Sequence, residues 1–355
     1  MAEPVTLAFM SHSNAAPFNI TPLRAAAERE VENGLAACQF AVGFEGEIVA
    51  FESLGRATDQ TRFCVASATK PIVASAIWLL MGRGQIDIER RVSEYLPEFA
   101  ANGKRDITVE QVLLMTAGFP SGAMPCEVGA DPKRRRAAME AWPIEFPPGT
   151  QYAYHAGSAH WVLAALIEVI AGCDFRDYLA NEVTTPLGLP RLLGLAREEQ
   201  GDIAQLQEEG DEDAKASRRA MIETGVPGGG GVMTAATLAS FYQATLHNPG
   251  ALWDTDVLQD GTGNVRCTLP DLMMQLPANR TTAVVIGAGF GATWGKSPTA
   301  YGWPGIGGQI GFAEPANGTS FAFLQHGDAD QLSTFKRASR MTNLALGLGG
   351  TSPKL

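Results

Sequence analysis

Between Thr69 and Leu80 the apolar residues Ile72, Val73, Ala76, Ile77 and Leu80 recur at helical spacing, and Gly82 and Gly84 end the run. This spacing predicts a helix with a buried face. Upstream, Leu23 to Leu35 carries a helical pattern, followed by two short strand candidates, Cys38 to Phe44 and Glu47 to Leu54, separated by Glu45-Gly46 as in a tight hairpin. Residues 86 to 220 are mostly helical pattern broken by Pro and Gly, and the acidic middle of Arg197 to Arg219 predicts an exposed loop and helix. After Gly228-Gly229-Gly230-Gly231 a helix is predicted from near Thr234. Strand candidates then return at Thr282 to Ile286, Gly308 to Ala313 and Thr319 to Gln325, and Leu332 to Leu346 is amphipathic. Strands at both ends of the chain with helices between them predict one α/β domain assembled from residues 1–85 and 221–355, with residues 86–220 as a helical insertion.

The 355 residues are 45% hydrophobic, enough for a substantial core. With 38 acidic against 27 basic residues the net charge is −11, which argues against nucleic acid as a partner. The basic cluster Lys133 to Arg136 reads as a solvated surface turn. The opening MAEPVTLAFMSHSN lacks the basic and apolar stretches of a secretory signal, and no run approaches a membrane span. The cysteines at 38, 64, 126, 173 and 267 are scattered without a CxxC pair, as expected of reduced thiols. These features predict a soluble cytoplasmic protein with no membrane partner; oligomeric state is not legible.

Thr282-Ala283-Val284-Val285-Ile286 runs into Gly287-Ala288-Gly289-Phe290-Gly291-Ala292, which satisfies the dinucleotide pattern G-x-G-x-x-A. That pattern needs a helix N-terminus for the pyrophosphate, yet Gly295 and Pro298 stand where the helix should be, and no acidic residue follows about 20 positions on. A Gly-rich strand end is the better reading. The run 228–231 lacks the Lys-Ser/Thr of a phosphate loop and predicts close backbone packing. His155 and His160, five apart, do not share a helical face as zinc ligands would. No metal and no cofactor are expected.

Ser67-Ala68-Thr69-Lys70 is an S-x-x-K motif, weak by itself because Ser333-Thr334-Phe335-Lys336 is a second copy on the final amphipathic helix. The first copy is set apart by its apolar surroundings, Lys70 being the only basic residue between Arg62 and Arg83. If Ser67 opens the helix, Lys70 lies one turn on along the same face, desolvated and beside the positive end of the helix dipole, and both effects lower its pKa. A fall of about 3 units from ~10.4, roughly 4 kcal/mol, makes a lysine a usable base near neutrality. A serine at a helix start is also a common cap and lysines snorkel, so these four residues alone leave both readings open.

The longer stretch FCVASATKPIVASAIWLLMGRGQIDIERRVSEYLPEF resembles the serine β-lactamase and D,D-peptidase superfamily, especially class C β-lactamases and family VIII carboxylesterases. ITVEQVLLMTAGFP (107–120), Pro148-Gly149-Thr150-Gln151-Tyr152-Ala153-Tyr154 and GGGGVMTAATLASFY (228–242) are similar to successive segments of those enzymes, and together the matches cover most of residues 60 to 325. The resemblance implies an antiparallel sheet flanked by helices with a mostly helical inserted domain. It also implies acyl-enzyme chemistry: Ser67 as nucleophile, Lys70 taking or sharing its proton, and Tyr154 completing the relay. Whether Lys70 or Tyr154 is the working base stays open, because coupled groups share the proton.

Two departures bear on substrate. Tyr154-His155-Ala156 lacks the asparagine that β-lactamases carry in their Tyr-Ser-Asn motif. Aligning GIGGQIGFAEP with the family puts Trp303-Pro304-Gly305 at the usual Lys-Thr-Gly or His-x-Gly motif, with Lys296-Ser297-Pro298 too far from the following strand. By this resemblance Trp303, Gly305 and His155 are expected to contact substrate, and the backbone N–H groups of Ser67 and Ile306 to form the oxyanion hole. Tryptophan in place of Lys or His favours a neutral substrate over a β-lactam carboxylate. The expected activity is hydrolysis of small acyl esters. A β-lactamase-like amidase, a D-peptidase or an acyltransferase are alternatives of the same fold. A non-catalytic binding protein that kept the fold, or a nicotinamide or flavin enzyme built on residues 282–292, are alternatives of other classes.

Overall fold

In the computed structural model, residues 18–207, 211–272, 274–327 and 330–350 are described. The opening stretch 1–14 and part of the acidic segment before residue 211 lie outside them. The hairpin forms as the pattern predicts. β1 (Ala37–Phe44) and β2 (Glu47–Gly55) pair antiparallel, with Glu45 (φ 52°) and Gly46 (φ 85°) both left-handed at the connection. A two-residue loop of that hand matches the natural twist of its flanking strands.

β3 (Phe63–Cys64) pairs with β4 (Val232–Met233), a two-residue ladder too short to be read from periodicity. The main sheet continues with β5 (Val285–Ile286), β6 (Tyr301–Gly305), β7 (Gln309–Glu314) and β8 (Thr319–His326). Its order is β2-β1-β8-β7-β6-β5, and every pairing is antiparallel. The last strand of the chain therefore sits beside the first. Nearly every residue of β1, β7 and β8 is buried, as in strands covered by helices on both faces.

The covering helices are Thr21–Glu32, Ala235–His247 and Gln331–Leu346. The first and last are joined by the buried pair Arg337–Glu30 at 2.7 Å. Gly311 on β7 meets helix Ala235–His247 so closely that a Cβ would lie 2.6 Å from Tyr242. Helix Lys70–Gly82 is buried from Lys70 through Leu80, and it packs on helix Ser158–Ala171. A helix apolar on all sides belongs in the core.

Three expectations change. The strand proposed at Thr282–Ile286 shrinks to β5, because the Thr281 hydroxyl accepts the N–H groups of Ala283 (3.1 Å) and Val284 (2.9 Å) and folds that segment into a turn. The cluster Lys133 to Arg136 is not a solvated turn. It lies on helix Pro132–Ala141, and Arg135 is buried against Glu168 and the Gly129 carbonyl. Ser67 does not open the α-helix: it lies in a 3₁₀ turn, Ala66–Thr69, and the helix proper begins at Lys70. No helix follows the glycines after β5, in keeping with the reading against a dinucleotide site.

Candidate active site

The turn that carries Ser67 is held from several sides. Val65 N–H donates to the Gly231 carbonyl at 2.9 Å, and the Thr69 hydroxyl donates to Ala66 O at 2.6 Å while accepting Gly231 N–H at 2.9 Å. A Cβ on Gly231 would stand 2.5 Å from the Thr69 hydroxyl, so the glycine run serves close packing. Ala66 has φ 47°, in the left-handed region that non-glycine residues avoid at a cost of about 1–3 kcal/mol. That turn projects Ser67 into a cavity of about 880 Å³.

A 3₁₀ turn has three residues per turn, so residues i and i+3 stack directly. Lys70 Nζ accordingly lies 3.1 Å from Ser67 Oγ. It also donates to the Ala156 carbonyl at 2.8 Å and the Gly228 carbonyl at 2.6 Å, so its donors are all engaged. Lys70 is fully buried, and desolvation drives its pKa down. Tyr154 pulls it back up, and the neighbouring cation Arg280 pushes it down again.

Tyr154 Oη donates to Ser67 Oγ at 2.7 Å, and Lys70 Nζ sits 5.1 Å from the Tyr154 ring centroid. Burial opposes ionisation of the phenol. The Lys70 charge and hydrogen bonds with Ser67, Lys70 and Trp303 outweigh it, and the phenol pKa falls below its usual value. Two proton-transfer groups thus converge on one hydroxyl.

The remaining expected site residues divide. Ile306 is exposed and lines the cavity with Ser67. Neither the Ser67 nor the Ile306 backbone N–H has an acceptor among the described residues. Gly305 is buried at the meeting of β6 with the nucleophile turn, where a Cβ would lie 2.2 Å from Val65 O.

Trp303 and His155 are not placed as substrate contacts. Trp303 is only 2% exposed; the Arg280 guanidinium covers it at 4.3 Å from the ring, and Tyr154 packs 5.9 Å away at 31°. It backs Tyr154 and does not line the cavity. His155 is wholly buried, with Nδ1 2.6 Å from Ala153 O and Nε2 accepting Phe119 N–H at 3.2 Å. Burial lowers its pKa to about 4. Alternation of side chains along the extended segment explains the outcome, since Ala156 lines the cavity and His155 points into the core.

The second S-x-x-K copy is a helix start: the Ser333 hydroxyl bonds Asp330 Oδ2 at 2.6 Å and Lys336 is exposed. Among the described residues no group of His, Cys, Asp or Glu is arranged to hold a metal. The sequence reading missed Arg280, buried with Nε donating to Leu113 O at 2.8 Å, and the Ala156 and Gly228 carbonyls that hold Lys70. No local pattern marks either, because a carbonyl acceptor has no residue-type signature.

The family profile described as Beta-lactamase matches residues 23–345. The chain is 28% identical over 304 residues to "Esterase/beta-lactamase LipL" of Mycobacterium tuberculosis, covering 74% of this chain and 68% of that protein. Among solved structures it superimposes with a TM-score of 0.78 on a penicillin-binding protein homolog from Caulobacter crescentus, at 24% identity and covering 93% and 97% of the two chains. A family VIII carboxylesterase gives a TM-score of 0.76 at 23% identity, with 91% and 97% covered. Taken with the antiparallel sheet and its flanking helices, the match along nearly the whole chain means that this protein belongs to the Beta-lactamase family, as a serine β-lactamase-fold hydrolase.

Proposed function

We propose that the protein is a carboxylesterase-like serine hydrolase that cleaves small acyl esters through an acyl-Ser67 intermediate. One observation carries this reading: Tyr154 Oη and Lys70 Nζ both lie within hydrogen-bond distance of Ser67 Oγ, on the wall of a cavity large enough for a small ester.

Ser67 Oγ attacks the ester carbonyl carbon, and its proton passes to the Lys70–Tyr154 pair as the Oγ–C bond forms. The carbonyl oxygen, now anionic, accepts the N–H groups of Ser67 and Ile306; one such donor is typically worth about 10²–10³ in rate. Collapse breaks the bond to the alcohol, which leaves with a proton delivered through Tyr154. Water then attacks the acyl-enzyme, giving up its proton to the same pair, and Ser67 is released with the carboxylic acid. The lowered pKa values of Lys70 and Tyr154 have a common effect, since each group is then easier to hold in its proton-accepting form.

Ester over β-lactam is supported by Ala156, which places a methyl group on the cavity wall where the β-lactamase motif has an amide. The family VIII neighbour is a carboxylesterase, which supports the same choice, while LipL is named for both activities.

The test is intact mass after exposure to a fluorophosphonate, with turnover of p-nitrophenyl butyrate and nitrocefin, in wild type and Ser67→Ala. A covalent adduct and ester turnover that both vanish in Ser67→Ala are expected. A wild type that gains no adduct and turns over no ester sinks the reading, and nitrocefin turnover exceeding that of the ester reassigns it to a lactamase.

A further inference from the structure

One wall of the cavity in front of Ser67 comes from helix Glu212–Thr224. Its residues Ala214, Ser217, Arg218 and Met221 line the space at i, i+3, i+4 and i+7, a single helical face. Among the described lining residues Arg218 is the one Arg, Lys, Asp or Glu. Among the described residues that line the substrate space, the one formal charge is therefore positive.

Arg218 is half-buried, and its guanidinium makes one hydrogen bond, from Nη1 to the Gln205 carbonyl at 3.1 Å. No carboxylate pairs with it among the described residues. A guanidinium has five N–H donors in a fork that fits a carboxylate, so most of this one's capacity is unused. Many arginines of this acidic chain are paired with a carboxylate, as in Arg62–Asp202, Arg83–Glu182 and Arg176–Asp174, whereas Arg218 is not. An arginine without a counter-ion on the wall of a substrate cavity is placed to receive one.

Its position relative to the nucleophile is fixed by a short chain of contacts. The Gln205 carbonyl holds Arg218, while the Gln205 side chain accepts Cys64 N–H at 2.9 Å and donates to Cys64 O at 3.3 Å. Cys64 stands at the base of the turn that presents Ser67. Trp303, which the sequence reading made the arbiter of substrate charge, is buried behind Tyr154.

We propose that Arg218 receives the carboxylate of an anionic substrate, making the enzyme selective for acyl esters that carry a carboxylate away from the scissile bond, such as half-esters of dicarboxylic acids. The inference rests on the hydrolase reading above. It names the substrate class of the same site.

Two esters of equal chain length test it, mono-p-nitrophenyl adipate and p-nitrophenyl hexanoate, read as the ratio of their kcat/KM values. Wild type prefers the anionic ester, and raising the salt to about 1 M NaCl shrinks that preference, because screening weakens a half-exposed charge pair. Arg218→Gln lowers the ratio by about ten- to a hundredfold, the range of a hydrogen bond to a charged group. Arg218→Lys retains more of the ratio than Arg218→Gln, and Arg218→Glu inverts it. The salt response needs no variant, so a misfolded mutant does not remove the test. Turnover of the neutral ester with a wild-type ratio at or below one, insensitive to salt, overturns this inference alone. Absence of turnover of both esters overturns the hydrolase reading and this inference with it.

Discussion

Tyr154 Oη lies closer to Ser67 Oγ than Lys70 Nζ does, 2.7 Å against 3.1 Å, while Lys70 spends its other donors on the Ala156 and Gly228 carbonyls. The lysine is anchored by backbone, whereas the tyrosine is aimed at the hydroxyl. Replacing either group should therefore hurt differently. Tyr154→Phe keeps the ring packed between Phe290 and Trp303 and is expected to lower kcat by about 10²–10⁴, the usual worth of a proton-transfer group, with little change in melting temperature. Lys70→Met should lower kcat at least as much. It also leaves the buried Gly228 carbonyl without its donor, so a loss of about 1–3 kcal/mol should appear in urea unfolding, while the Ala156 carbonyl on the cavity wall can turn to water. Equal stability of the two variants would contradict this division of labour.

The pH dependence follows from the lowered pKa of Lys70. Activity needs the Lys70–Tyr154 pair able to accept a proton, so kcat/KM should fall as pH falls. The apparent pKa belongs to the pair and lies below the ordinary ~10.4 of lysine. Arg280 is one of the causes that hold Lys70 down, so Arg280→Met should raise the pKa of Lys70 and move the acidic limb to higher pH. A pH–rate profile on p-nitrophenyl butyrate reads both. A limb that stays put or moves to lower pH removes Arg280 from the account.

Gly305 allows β6 to lie against the nucleophile turn, because a Cβ there would meet Val65 O at 2.2 Å. Gly305→Ala must push β6 away from the turn, and with it the adjoining Ile306 amide. Overpacking of this kind costs about 1–3 kcal/mol. The expected kinetic signature is a fall in kcat of tenfold or more, since a displaced oxyanion donor is lost in the transition state above all. A crystal structure of the variant with β6 unmoved would defeat the argument.

His155, buried and neutral, makes the fold sensitive to acid. Its folded pKa of about 4 lies below the unfolded value of 6.5, so the unfolded chain binds the extra proton between those values. The stability tied to neutral His155 is fully present above pH 6.5 and is lost progressively as pH falls toward 4, on the order of 3 kcal/mol in all. His160, fully buried with its pKa also driven down by desolvation, adds a loss of the same sign. Urea midpoints that stay level from pH 7.5 to pH 4.5 would refute this; His155→Asn should flatten part of the slope.

Much of this arrangement was legible before any coordinates. Ser67 and Lys70 are three residues apart, so local geometry settles their contact, and Tyr154 followed from motifs in a fixed order. Trp303 was expected to contact substrate and is buried instead, because whether a ring faces substrate or core depends on what covers it, here Arg280 and Tyr154. His155 failed for the same reason, with alternation at 154–156 sending its ring inward. Arg218 and Arg280 carried no local signal. What distinguishes them is a place on or behind the wall of the site with no carboxylate partner among the described residues, a property of distant neighbours.

The place of β8 in the sheet, between β1 and β7, bears on how the enzyme comes into being. Ser67 is synthesised early, but the strand that seats its turn and the amide of Ile306 come from the far end of the chain. Closing that loop carries the entropic cost that slows folds dominated by distant pairings. A nascent chain still threaded through the ribosome thus holds a serine and a lysine with no oxyanion donor opposite them. Under the proposed mechanism, hydrolytic competence waits until the chain beyond Ile306 has been made and paired into the sheet.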